Sequence, residues 1–142
     1  MKHGGFLAMS AEEMVYRENI LAHYREPQNF GEFEIADICN KGLNPLCGDA
    51  VEIFVRLNGD KVVEDVRFKG SGCAISQASA SMLTETLKGK SLEEVKNISK
   101  EDILGMLGIP IGPVRLKCAL LSLRVLEGGI VKFEENGVAN ES

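Results

Sequence analysis

Tryptophan is absent from this 142-residue chain, aromatic residues supply 6% of it, and it holds only two histidines, His3 and His23. With no interleaved aromatics, no Lys/Arg stripe and a formal net charge of −5, nucleic acid is excluded as the main partner. No apolar stretch approaches the length of a membrane span, so no membrane partner is expected. No Cys-x-x-Cys pair occurs, which removes ordinary zinc-finger spacing. Ser76, Ser79 and Ser81 have no histidine base in sight along the chain, which argues against a serine hydrolase. His23 reads as a surface or satisfied residue on the first helix. There is no repeat and no low-complexity tract.

An export signal is also missing. Phe6-Leu7-Ala8-Met9 is too short for a secretory core and lacks a cleavage pattern. Residues 1–10 read as a leader or an added extension, with Met9 or Met14 as alternative starts. A cytoplasmic, reducing setting is therefore expected, in which scattered cysteines serve as ligands, nucleophiles or core residues rather than disulfides. The length points to a single domain over 11–133, with 134–142 as a flexible tail, and is enough for a core without disulfide staples.

The pattern predicts a first helix over Ala11–Arg25, capped by Ser10 with Glu13 three residues on and ended by Pro27. Met14, Ile20, Leu21 and Tyr24 form its apolar side. A loop or weak strand follows through Gly31–Gly42. Val51–Leu57 alternates, Asn58-Gly59 signals a hairpin, and Val62–Lys69 returns. Helices are expected from Cys73 to Lys88, over Ser91–Val95 and Ser99–Leu107, and from Pro113 to about Glu127, ending at Gly128-Gly129. Strands come early and helices late, so the class is α+β.

Four residues in small, Gly- or Pro-bearing settings carry the chemistry: Cys47 and Asp49 in Asn-Pro-Leu-Cys-Gly-Asp, Cys73 in Gly-Ser-Gly-Cys-Ala, and Cys118 in Pro-Val-Arg-Leu-Lys-Cys. Three thiolates and a carboxylate complete one four-coordinate site. A hard carboxylate among soft thiolates suits a site whose contents leave. On an extended chain Cys47 and Asp49 point to the same side. Cys73 at a helix start gains from the helix dipole, which favours thiolate over thiol. A divalent ion in this set leaves a surplus of about two negative charges. Arg115 and Lys117 would offset it and lower thiolate pKa. Plainer readings stand beside these. Cys118 also falls on an apolar stripe with Val114, Leu121 and Val125, Cys73 also reads as packing, and Asp49 as a turn cap. Cys39, in a polar loop, reads as a free or partly buried thiol rather than a ligand.

These same residues give the chain a resemblance to the U-type iron–sulfur cluster assembly scaffolds: IscU, SufU and the N-terminal domain of NifU. The resemblance spans roughly Tyr16–Ile130 and rests on Ile20–Gly31, Asn44–Asp49, Val66–Glu85 and Pro113–Leu121. It implies a small antiparallel sheet of about three strands packed by helices, with the site at an exposed end. It implies cluster ligands at Cys47, Cys73 and Cys118, and the labile-site aspartate at Asp49. Cys39 matches no family ligand. The implied function is a scaffold that receives persulfide sulfur from a cysteine desulfurase, with Cys118 or Cys47 as acceptor assisted by Arg115 and Lys117. It assembles a labile cluster, of 2Fe–2S type, and transfers it to apo-proteins. An iron donor or chaperone would be a further partner. Zinc is the alternative occupant, in a SufU-like sulfur acceptor or sulfurtransferase; the scaffold itself need not be an enzyme. Lys117 stands where IscU proteins have histidine, as in SufU. Cys118 follows Cys73 by 45 positions without the SufU insertion, as in IscU. The IscU chaperone motif Leu-Pro-Pro-Val-Lys matches only in part, as Ile111-Gly112-Pro113-Val114-Arg115.

Overall fold

The computed structural model describes residues 10–141, and the side chains of residues 10–136. The leader reading of residues 1–9 lies outside the described residues, as does Ser142. The order is α1 (Ala11–Arg25), β1 (Ile38–Asn44), β2 (Asp49–Leu57), β3 (Val63–Ser71), α2 (Ala74–Leu87), α3 (Leu92–Lys96), α4 (Lys100–Leu107) and α5 (Pro113–Glu141). This is the expected α+β class, a three-stranded antiparallel sheet in the order β1-β2-β3 packed by helices.

The period-two alternation of β2 turns Val51, Ile53 and Val55 into the core, where they meet Val66 and Phe68 of β3. Asp49 is in phase with that row and closes it at one end, so the pleat itself buries the carboxylate. α2 and α5 cover this face of the sheet, with Leu83, Leu87, Leu123 and Leu126 buried in the shared core. The opposite face carries Arg56, whose guanidinium lies 4.0 Å from the centre of the Phe33 ring.

Several expectations are corrected. β1 is a full strand that begins within the stretch read as loop or weak strand and runs past Gly42 to Asn44. Its inward positions Asn40 and Gly42 are polar or small, which hides the alternation, and Gly42 leaves room for Val125: a Cβ there would lie 2.7 Å from Val125 Cγ2. The β2–β3 turn is longer than a two-residue hairpin. Asn58 Oδ1 accepts from the amides of Asp60 and Val62, and Lys61 rather than Gly59 takes the left-handed conformation. α1 lies on the surface with Ile20 as its one buried residue, whereas Met14 and Tyr24 are exposed.

The last helix does not stop at Gly128-Gly129. A Cβ on Gly129 would lie 2.9 Å from Ile38 Cγ2, so these glycines let α5 cross close over β1 instead of ending it. The helix continues to Glu141, and Glu134, expected in a flexible tail, is bonded to Lys96 at 2.8 Å.

Candidate metal centre

Three chain junctions meet at one end of the sheet. The first is the turn 45–48 between β1 and β2, closed by the Cys47 amide donating to the Asn44 carbonyl at 3.2 Å. Gly48 in this turn has φ +70°, a conformation that favours glycine. Cys47 is therefore on a turn, not on extended chain. It and Asp49 still converge, because the turn carries Cys47 back over the strand end. The second junction is Ser71–Cys73, from β3 into α2. Cys73 caps α2 with extended backbone (φ −74°, ψ 163°), so its side chain sits at a helix start as expected. The third is the first two turns of α5, which bury Cys118 completely.

One ligand atom each from Cys47, Asp49 and Cys118 lies within 4.8 Å of the others. The sulfurs of Cys47 and Cys118 are 3.1 Å apart. Cys73 adjoins this trio: its Sγ is 3.9 Å from Asp49 Oδ2, and its backbone amide donates to Asp49 Oδ1 at 2.8 Å. Cys47 is exposed, Cys73 half-buried, and Asp49 and Cys118 buried. The site thus has a buried floor and one open thiol. Gly72 makes the floor: at φ +141°, it would place a Cβ 2.2 Å from Asp49 Oδ1.

Burial, the side-chain contacts with Cys47 and Asp49, and the charge of Cys73 push the Cys118 thiol well above its ordinary range. A cation held beside the Cys118 sulfur would favour its deprotonated form. Cys47, Asp49 and Cys118 form the group that could hold an ion, and with Cys73 added as the expected fourth donor the set would suit a thiophilic four-coordinate ion. The lowering of thiolate pKa expected from Arg115 and Lys117 is not what governs Cys118. Both are exposed on α5, and the dominant influences on this thiol all raise it.

Cys39 is on the far side. It lies exposed at the opposite end of β1, facing Glu52, with Sγ 3.9 Å from Oε2. Val114 is 77% exposed and leaves the stripe that holds Cys118. Ser81 does meet a histidine: His23 Nδ1 lies 2.6 Å from its Oγ. Yet Ser81 is fully buried and also accepts the Gln28 amide, so the pair ties α1 to α2 and offers no nucleophile. Sequence reasoning gave Asn44 no role. It is buried, and its amide nitrogen lies 3.5 Å from Cys118 Sγ. The signal available was an amide directly before the proline of a cysteine-bearing turn.

Residues 15–140 match the family described as the NifU-like N-terminal domain. The chain belongs to that family. Among its relatives is the zinc-dependent sulfurtransferase SufU of Bacillus subtilis (strain 168), 38% identical over 142 aligned residues that cover 88% of this chain and 95% of that one. The iron–sulfur cluster assembly scaffold protein IscU of Escherichia coli (strain K12) is 36% identical over 125 residues, covering 85% and 95%. Among solved structures, the putative iron–sulfur cluster assembly scaffold protein for the SUF system of Fervidobacterium islandicum AW-1 superposes with a TM-score of 0.68 at 31% identity, over 84% of this chain and 98% of that one. This NifU-like domain therefore stands among homologues of both the SufU and IscU kinds. No helix among its described residues is long and apolar enough to cross a membrane.

Proposed function

We propose that this NifU-like domain is an iron–sulfur cluster assembly scaffold. It takes sulfur from a cysteine desulfurase, builds a labile cluster of 2Fe–2S type on Cys47, Asp49, Cys73 and Cys118, and passes the cluster to apo-proteins. The observation that carries this reading is the convergence of thiols and a buried carboxylate at one open end of the sheet. Iron and sulfide are cargo here, not a resident cofactor. The exposure of Cys47 supports it as first acceptor, with Cys118 buried behind it. Its thiolate attacks the outer sulfur of the donor persulfide, the donor's S–S bond breaks, and the donor leaves as a thiolate. Cys47 is left as the persulfide, with no net redox change in this transfer, and release of its outer sulfur as cluster sulfide takes two electrons from a separate thiol or electron-transfer reductant. Arg115 and Lys117, exposed beside the site, would receive the incoming partner and its charge.

A second reading is supported by the 38% identity to a zinc-dependent sulfurtransferase. The same four ligands would hold zinc, keep thiolates deprotonated, and pass sulfur on without binding iron. Single alanine variants test the shared ligand set. Cys47→Ala, Cys73→Ala and Cys118→Ala are expected to abolish cluster assembly, while Cys39→Ala assembles like the parent. Loss on Cys39→Ala, or full assembly without Cys118, would contradict the assignment.

A further inference from the structure

We propose that Asn44 is a positioning residue for the metal centre, holding Cys118 through an N–H···S hydrogen bond; this rests on the ligand set proposed above. Asn44 ends β1, and the strand's alternation places it on the inward row begun by Ile38. The following residue is Pro45, which confines Asn44 to extended backbone and keeps its side chain on that row. A buried primary amide is costly unless it is hydrogen-bonded, and the partner Nδ2 meets is Cys118 Sγ at 3.5 Å. The carbonyl of the same residue accepts the Cys47 amide, and its cross-strand partner is Asp49. Asn44 thus touches or pairs with three of the four proposed ligands.

The chemistry follows from charge. Three thiolates and a carboxylate around one ion overload the site with negative charge, and a neutral donor aimed at one sulfur stabilises the thiolate. Only the nitrogen end of the amide does this, since the oxygen would present a lone pair to the sulfur. Partners of ligands that orient them in this way change metal affinity by about 10–100-fold when removed.

Cobalt(II) is the probe. Its thiolate charge-transfer bands report sulfur ligation, and competition with a chelator gives affinity. Asn44→Ala is expected to bind one cobalt with the charge-transfer band at lower energy and affinity reduced by about 10–100-fold. Asn44→Asp keeps the shape and reverses the donor, and is expected to bind more weakly still; a merely steric role would leave it near the parent. In a Cys118→Ala background, Asn44→Ala is expected to have no further effect on affinity. Cobalt binding by the parent with thiolate bands, unchanged in both Asn44 variants or equally weakened in the Cys118→Ala background, would overturn the Asn44 assignment alone. No thiolate bands in the parent would overturn the metal reading and this proposal with it. Thermal melts of the metal-free variants separate a folding defect from a binding one.

Discussion

The backbone amide of Cys73 donates to Asp49 Oδ1 at 2.8 Å, so one proposed ligand is fixed by the chain of another. The bond commits one carboxylate oxygen to the protein and leaves Oδ2, 3.9 Å from Cys73 Sγ, facing the thiols. A carboxylate held in this way is a single, hard, exchangeable donor beside three soft ones.

Asp49→Ala is therefore expected to slow loss of an assembled cluster to a chelator. A rise of about 1.4 kcal/mol in the exchange barrier lengthens the half-life on the order of tenfold. Decay of the visible absorbance under excess chelator measures it. Faster loss would remove Asp49 from the role of exchangeable ligand.

Gly72→Ala sets a methyl against Asp49 Oδ1 at 2.2 Å in a backbone conformation at φ +141°. The expected result is a loss of about 1–3 kcal/mol of stability together with weakened zinc or cobalt binding. Gly48→Ala is the comparison. Its φ is +70° but nothing lies within 4 Å of the added carbon. It is expected to cost about 1–2 kcal/mol from the left-handed backbone alone, with metal binding retained. Urea midpoints and metal titrations on both variants separate the two effects.

Metal uptake is expected to release protons. Burial, the contacts with Cys47 and Asp49, and the charge of Cys73 hold the Cys118 thiol above its ordinary range, so at neutral pH it carries its proton until a cation displaces it. Zinc affinity should then rise with pH. Calorimetric titration in buffers of different ionisation enthalpy counts the protons. A binding heat independent of buffer would contradict the expectation.

Asp65 gives a linkage test away from the site. Partial burial works to raise its pKa, but the Val66 amide and the Lys88 and Arg67 side chains outweigh it and hold the carboxyl below its ordinary value. A depressed folded-state pKa contributes stability that is present above the unfolded value and lost as pH falls through the folded one. Asp65→Asn is expected to cost under about 1 kcal/mol at neutral pH, because the carboxylate is partly exposed. The difference from the parent should vanish in strong acid. A difference that persists there would assign the effect to packing.

Cys47 and Cys73 stood out in the sequence because one sits in a Gly- and Pro-bearing turn and the other at a helix cap, whereas Asp49 opens β2 and Cys118 lies inside α5, so their reading as ligands rested on the resemblance. Val51–Val55 and the serine caps of α3 and α4 were legible for similarly local reasons: strict alternation in one case, and capping boxes at Ser91 and Ser99 in the other. What escaped depended on contacts between distant segments. Gly128-Gly129 reads as a helix end until Ile38 and Asn40 are seen packed beneath it. Arg115 and Lys117 flank Cys118 in sequence, yet its thiol is governed first by burial and then by Cys47, Asp49 and Cys73, which arrive from two other stretches of chain. The Ser81–His23 pairing spans 58 positions, and no spacing rule points to it.

The most direct test of the scaffold reading is anaerobic reconstitution. Zinc is stripped, ferrous iron, cysteine and a cysteine desulfurase are added, and the gel-filtered protein is examined by absorbance and Mössbauer spectroscopy before transfer to an apo-ferredoxin. The expected result is a protein-bound 2Fe–2S cluster that the apo-ferredoxin then takes up. No bound cluster, together with tight zinc binding and a desulfurase stimulated by the zinc form, would contradict the scaffold reading and select the sulfur acceptor.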